Sequence, residues 1–308
     1  MPLGDKGYRD FGDFLREHFS FKVQKISIDA GFTCPNRDGS KGTGGCTYCN
    51  NETFSPGYCQ ASLSVTEQLK RGKQFFARKY PEMRYLAYFQ AYTSTYANIE
   101  HLKALYEEAL AAESVVGLII GTRPDCVPDE LLDYLATLSR RSFVLVEYGA
   151  ETASDSTLRA VNRNHTWADT TDAVARTKAR NIMCGIHLIL GLPGDDAASI
   201  LATARAAARL PIDTIKLHQL QLIKGTRLAA QVERAEVRVA QWSVEEYIDI
   251  CIGFIERLPE GVAIERFTSQ SPSHLLISPR WGLKNNEFTA LLNRRLRQLG
   301  TRQGRLCH

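Results

Sequence analysis

Residues 23–49 read VQKISIDAGFTCPNRDGSKGTGGCTYC. The first seven, Val23–Asp29, have the apolar, β-branched character of a strand. No GxGxxG turn follows them, which argues against a dinucleotide-binding unit. A loop with three cysteines follows instead: Cys34, then Cys46 and Cys49 as a CxxC, with eleven residues between Cys34 and Cys46. Gly39, Gly42, Gly44, Gly45 and Pro35 let that loop wrap around something without a helix or strand resisting. Iron–sulfur clusters are usually held by four thiolates. Three in one loop leave one iron of a cubane open to a non-protein ligand. The alternatives are buried thiols or a zinc knuckle. A closed structural zinc wants a fourth ligand, which Cys59, Asp38 or a distant His would have to supply.

Outward from this stretch, apolar runs alternate with helical patterns. Strands are expected at Val23–Asp29, Tyr85–Ala91, Val115–Thr122, Phe143–Gly149, Met183–Gly191 and Thr214–Gln221. Helices are expected at Ser64–Lys79, Ile99–Ala111, Asp129–Arg140, Thr166–Arg180 and Asp195–Arg209. Strands followed by helices imply an α/β protein with a parallel sheet. Near-continuous apolar strands such as VVGLIIGT suit a sheet buried on both faces. The sheet can be open or curled into a barrel, where chemistry gathers at the C-terminal strand ends. Those ends carry the Cys loop, FQAYTST, GTRPD, EYGAET, GLPGD and LIKGTRL, each with small or polar residues able to face a ligand. Beyond residue 225 the alternation stops. Ser243–Leu258 reads as a helix capped by Ser243 with Glu246, Val262–Thr268 as a strand, and Phe288–Leu299 as a last helix. The expected division is 1–225 for the partial barrel with its loop and 226–308 for an extension closing it.

The chain has 308 residues, 44% hydrophobic and 23% charged, with a net charge of +4. This is the composition of an ordinary globular protein. No run approaches the roughly 18 apolar residues of a membrane span, and the first residues lack the apolar core of a secretory signal. The eight cysteines are irregularly spaced. A reducing cytoplasm is therefore expected, with burial for Cys126, Cys184 and Cys251 and an exposed Cys307.

With the Cys loop and strand ends in hand, the chain resembles a radical S-adenosylmethionine (SAM) enzyme of the YhcC-like family. That family is similar in its core to the catalytic subunit of Elongator and to oxygen-independent coproporphyrinogen oxidase. The resemblance lies in KISIDAGFTCPNRDGS, GGCTYC, YFQAYTSTY, GTRPDC, VNRNH, HLILGLPG and KLHQLQLIKGT, and in RWGLKNNE and GTRQG near the end. It implies a partial (β/α)6 barrel with a C-terminal α/β extension. It also implies a [4Fe-4S] cluster held by Cys34, Cys46 and Cys49, with SAM on the open iron. Reductive cleavage of SAM then yields a 5′-deoxyadenosyl radical, the electron coming from a flavodoxin- or ferredoxin-type donor.

The resemblance also implies roles around the cofactor. Tyr48 would approach the adenine, or simply pack against the loop. Gln90, Ala91, Tyr92 and Thr93 stand where relatives place a glycine-rich segment contacting the methionine amino group; the glycines are missing here. Glu151 would accept from the ribose hydroxyls, or serve as a helix N-terminal acid. Arg163, twelve positions on, would pair with the methionine carboxylate; a surface arginine is the plain alternative. His187 alternates with Ile186 and Leu188, so it points into the barrel if they face the helices. It then reads as a ribose contact or a satisfied core histidine. Gly191 in GLPG would let the adenine approach the backbone, although a plain strand–helix turn reads the same. Lys216, His218 and Lys224 suggest a substrate contact or structural pairing with carboxylates. Arg123 and Asp125 could pair with each other and do nothing else. No residue is assigned to catalysis. The similarity to Elongator and the arginines Arg294, Arg295, Arg297, Arg302 and Arg305 point to tRNA, at a wobble-uridine side chain. A solvated helix face explains the arginines as well. The alternatives are a small metabolite or protein substrate, or a non-catalytic iron–sulfur or zinc-binding redox module.

Overall fold

The computed structural model describes residues 6–53, 55–76 and 82–307. The strands are β1 (Val23–Ile28), β2 (Arg84–Phe89), β3 (Val115–Thr122), β4 (Phe143–Glu151), β5 (Met183–Leu190), β6 (Thr214–Gln219), β7 (Leu222–Ile223), β8 (Ala263–Arg266) and β9 (Leu276–Ser278). The helices are α1 (Phe11–His18), α2 (Val65–Phe76), α3 (Ile99–Ala111), α4 (Asp129–Ser139), α5 (Asp155–Ala160), α6 (Trp167–Ala179), α7 (Ala197–Ala208), α8 (Arg227–Glu233), α9 (Val244–Ile255) and α10 (Asn285–Leu299). Seven strands form one sheet in the order β1-β2-β3-β4-β5-β6-β8, every neighbouring pair parallel. The sheet curls into a half-barrel with helices outside, as the resemblance implied.

Alternation along the strands divides the sheet into two faces. Ile26, Ile28, Leu118, Ile120, Val144, Val146, Ile186, Leu188, Ile215 and Leu217 belong to the large core beneath the helices, each almost wholly buried. The inner face is apolar only at one end. There Leu86, Tyr88, Ile119, Leu145 and Ala263 pack on Phe11 and Phe14 of α1. This helix was not anticipated from the sequence, although a capping box of Asp10 and Asp13 marks its start. It closes the end of the half-barrel opposite the Cys loop. The inner surface turns polar toward the C-terminal strand ends, where the cavity lies.

The tail brings a second departure from six strands. The expected strand at Val262–Thr268 is β8, four residues long, and it joins the main sheet beside β6. Hydrophobic residues of α9 and α10 enter the same core as the barrel strands. The expected helix Ser64–Lys79 is seen as α2, capped by Ser64, whose hydroxyl accepts from Glu67 N. Its expected last residues, 77–79, lie outside the described residues. Cys126, Cys184 and Cys251 are buried as expected, whereas Cys307 is half-buried rather than exposed. No helix among the described residues is long and apolar enough to cross a membrane.

Candidate active site

The Cys loop is fastened to the segment after β4. Thr47 N donates to Val161 O at 3.0 Å, and Leu228 N, in α8, donates to Thr47 O at 2.8 Å. Asn36 is fully buried; its amide nitrogen donates to Asn162 O and its amide oxygen accepts from Asn164. Asn162 in turn donates to Gly45 O at 2.8 Å. Both flanking asparagines sit in the left-handed region, at φ 56° for Asn162 and 54° for Asn164. Asn tolerates that region better than most residues, which explains an N-R-N triplet that presents Arg163 to the loop. A Cβ at Gly42 would collide with the Asn36 and Asn164 amides, so this position needs glycine.

From the other side, Arg123 makes a two-pronged pair with Asp125, at 2.9 Å on each prong. Lys41 of the Cys loop adds a bond to Asp125 at 2.6 Å. Burial would raise the Asp125 carboxyl; the two cations outweigh it and hold its pKa well below the carboxylate range. The expected Arg123–Asp125 pair therefore exists, and it also anchors the loop.

Cys34, Cys46 and Cys49 all line one cavity of about 270 Å³, together with Arg163 and Glu151. The three are unpaired thiols. Burial, with the Cys46 thiol beside it, pushes Cys49 up to about 12. A cation reverses that cost by stabilising the thiolate. Among the described residues, no three His, Cys, Asp or Glu side chains converge closely enough for a single metal ion. A cubane takes one thiolate at each of three corners, so its ligands stand further apart than those of one zinc. Cys59 is buried and does not line the cavity; burial and then Asp29 push its thiol up to about 12. Asp38 is exposed.

Arg163 is buried within the cavity wall. Its Nη2 donates to Gly149 O at 2.6 Å and lies 3.3 Å from Glu151 Oε1; Nη1 is 3.9 Å from Cys46 Sγ. Glu151 ends β4 at a bulge and has φ 65°. Such strain in a non-glycine residue is a mark of functional sites. Burial raises its pKa, against the pull of Arg163. The Tyr48 hydroxyl lies beside Glu151 without a hydrogen bond of good geometry. Tyr48 Oη, Thr93 Oγ1 and Arg163 Nε are all buried without a partner. Buried polar atoms rarely stay unpaired; three around one cavity next to free thiols fit a cluster and a polar organic cofactor.

Tyr48, Gln90, Tyr92, Thr93, Glu151, Arg163 and His187 line this cavity; Ala91 and Gly191 do not. The side of Gly191 that a Cβ would fill faces the Trp242 ring, and its φ of 102° favours glycine. His187 points inward, as its alternation required. Its Nε2 lies 3.0 Å from Glu147 Oε2, and burial with Lys216 nearby lowers its pKa to about 4. Lys216 is also accounted for by carboxylates, Glu147 at 2.5 Å and Glu265 at 3.2 Å. Lys224 is exposed.

Lys216 belongs to a charged group beneath the cavity, of which only Glu147 reaches the lining; of that group the sequence reading named Lys216 alone, and not Lys25, Glu147 or Glu265. Lys25 contacts Glu147 at 3.4 Å and also pairs with Glu265. Lys216 donates to the Tyr88 hydroxyl at 3.0 Å. Burial would raise Glu147, but Lys216 and Lys25 hold its pKa well below the usual value. A signal was available: single charges inside apolar strands, Lys25 in VQKISI, Glu147 in FVLVEYG and Lys216 in TIKLHQ.

The family model of the radical SAM superfamily matches residues 37–207, and that of the radical SAM C-terminal domain matches 212–298. Protein YhcC of Escherichia coli (strain K12) is 37% identical over 272 residues, 88% of this chain and 86% of that protein. A tRNA uridine(34) acetyltransferase of Methanocaldococcus jannaschii is 25% identical over 62% of this chain and 34% of its own length. The solved structure of Methanocaldococcus infernus Elp3, with residues 1–46 deleted, superposes with a TM-score of 0.69 at 18% identity. The match covers 92% of this chain and 64% of that one, and at this identity it speaks for the fold alone. A family model over more than half the chain and a relative of this identity over most of both lengths lead to one conclusion: the chain belongs to the radical SAM superfamily and is an enzyme that binds a [4Fe-4S] cluster and SAM.

Proposed function

We propose that Cys34, Cys46 and Cys49 hold the cluster, and that Arg163 and Glu151 hold SAM against it. The observation that carries this is the meeting of three unpaired thiols, a buried guanidinium and a strained carboxylate on one cavity wall. When bound and reduced, the cluster supplies the electron that splits SAM into methionine and a 5′-deoxyadenosyl radical. The chain's own part is to bind, orient and shield. Arg163 presents its guanidinium to the methionine carboxylate. Glu151, with Tyr48 beside it, accepts from the ribose hydroxyls, and His187 lines the ribose side. The segment from Gln90 to Thr93 faces the methionine amino group. Residues 1–225 form the cofactor-holding unit, and 226–308 close its open side. The reductant is a flavodoxin- or ferredoxin-type protein, and the working compartment is the cytoplasm.

The reconstituted, reduced protein, given a cell extract as the source of the hydrogen-donating substrate, will release 5′-deoxyadenosine and methionine from SAM; none of either product would overturn the reading. Arg163→Leu will keep its iron and bind SAM more weakly by roughly 1.5–3 kcal/mol, the scale of a charged hydrogen bond. Equilibrium dialysis against SAM measures this, and unchanged affinity removes Arg163 from the cofactor site.

For the substrate we propose a tRNA base, at a wobble-uridine side chain. The support is the similarity to a tRNA uridine(34) acetyltransferase and the basic end of the chain. That end is less free than its sequence suggests. Arg295 pairs with Asp249 at 2.8 Å, Arg305 with Glu256 at 2.6 Å, and Arg302 lies 3.9 Å from Glu260. Arg294 and Arg297 are exposed with no ion pair among the described residues. If they track phosphates, tRNA binding weakens with rising salt as counterions are released. Reversing both to Glu will then reduce tRNA retention on nitrocellulose filters at low salt. Wild-type retention that ignores salt, or a variant that binds equally, would favour a small metabolite or protein substrate.

A further inference from the structure

Four charges beneath the cavity, of which only Glu147 reaches its lining, close on themselves. Lys25 and Lys216 face Glu147 and Glu265, two ammoniums against two carboxylates. Across the cavity Arg163 has Glu151. Arg266, which follows Glu265 at the bulge between β8 and β6, has no carboxylate among the described residues. Its Nη2 meets only the His218 imidazole among the described residues, 3.4 Å from both ring nitrogens, a contact with a neutral group rather than a counter-charge. Its Nε is buried and unpartnered. Buried charges are normally paired, so a half-buried guanidinium facing a cavity without a carboxylate partner of its own is unusual.

His218 does not supply the missing charge. Burial, then Arg266, holds its imidazole well below the usual pKa, so it is neutral. Its Nδ1 lies 2.5 Å from Ser269 Oγ. Ser269 is itself fixed: its N–H donates to Gln219 Oε1 at 2.6 Å, and its carbonyl accepts from Gln219 at 3.0 Å and Gln221 at 3.2 Å. His218, Arg266 and Ser269 all line the cavity that the cysteines line. The group is thus preorganised on two strands and a pinned loop, as a binding site requires.

We propose that Arg266, with Ser269 and His218 beside it, is the receptor for an oxyanion of the substrate, a carboxylate or a phosphate. A guanidinium forks onto either group with two parallel bonds. Arg266 is in register with Lys216 of the buried floor. The anion therefore belongs to the part of the substrate that enters the barrel, rather than to a backbone lying across its mouth. This rests on the reading that Arg163 and the cysteines hold the cofactor on the opposite wall.

The test uses iron-loaded protein under anaerobic conditions, with and without SAM. Inorganic phosphate and, separately, acetate are titrated into wild type, Arg266→Lys and Arg266→Met by calorimetry. We expect one or both anions to bind wild type and to lose about tenfold or more in affinity in Arg266→Met. Arg266→Lys should be intermediate, and all three proteins should keep their iron and SAM affinity. A preference for phosphate assigns a phosphorylated substrate and a preference for acetate a carboxylate; both uphold the receptor. It is overturned if neither anion binds wild type, if Arg266→Met binds as tightly, or if the substitution instead weakens SAM. Should Arg266→Met fail to fold, Arg266→Lys decides. Failure of the cofactor reading shows separately, as wild type that does not bind SAM, and the titration without SAM remains readable.

Discussion

Cys46→Ala, loaded anaerobically with iron and sulfide, will lose the visible charge-transfer absorption of a cubane, and its bound iron will fall close to zero. This is the largest expected effect of any single substitution here. Cys46 stands at the centre of the site: Thr47, next to it, is tied to Val161, while Asn36 and Arg163 both reach toward its sulfur, at 3.6 and 3.9 Å. Losing one of three ligands leaves a second iron without protein support. The loop itself should persist, because Asn36, Lys41 and Asn162 hold it through bonds that do not involve sulfur. Far-ultraviolet circular dichroism of the variant should therefore match wild type. Cys59→Ser is the control, since Cys59 is buried away from the cavity. It should take up full iron. A Cys46→Ala protein with a full complement of iron would refute the ligand assignment, and loss of iron in Cys59→Ser would make Cys59 a ligand.

Glu147→Leu will destabilise the protein by about 3–5 kcal/mol, the usual cost of removing one partner from a buried ion pair. The Glu147 side chain is 1% exposed and that of Lys216 2%. Without Glu147, Lys216 and Lys25 share Glu265 alone, and one ammonium is left buried without a full counter-charge. His187 loses its partner as well. Urea unfolding at neutral pH measures the change, with the slope checked for two-state behaviour. A loss below about 1 kcal/mol would mean that water in the cavity relieves the lattice, which is the behaviour of exposed pairs. Leu is chosen because it fits the neighbouring Tyr88, Ile119 and Leu145 without adding a polar group.

Several levels of this protein were legible in its sequence. The six strands and the five helices between them were readable because a strand buried on both faces must be apolar at nearly every position, and VVGLIIGT or MCGIHLIL is hard to place elsewhere. The loop was conspicuous because three cysteines among glycines are a local pattern, and all three line the cavity. The inward aim of His187 followed from alternation alone. Glu151 and Arg163 were named on the family resemblance rather than on any local pattern, and both line the cavity.

Other features depended on contacts between residues far apart in the chain. Glu147, Lys25, Lys216 and Glu265 come from four strands; Lys216 was read as facing a substrate or a carboxylate, but the sequence did not name its partners, and Lys25, Glu147 and Glu265 each alone resemble a stray surface charge. Only the curling of the sheet brings them within bonding distance, where their mutual attraction offsets the cost of burial. The same holds for α1, an ordinary short amphipathic helix until Phe11 and Phe14 close the barrel end, and for β8, read as a strand from its sequence but placed in the main sheet only by pairing with β6. The arginines near the C-terminus show the converse. Local sequence presented five free cations, and packing against α9 and the turn after it gave three of them carboxylates, Asp249, Glu256 and Glu260. Periodicity and local chemistry are properties of a segment, and sequence alone determined those. Which charge meets which is a property of the closed chain, and the tertiary structure decided it.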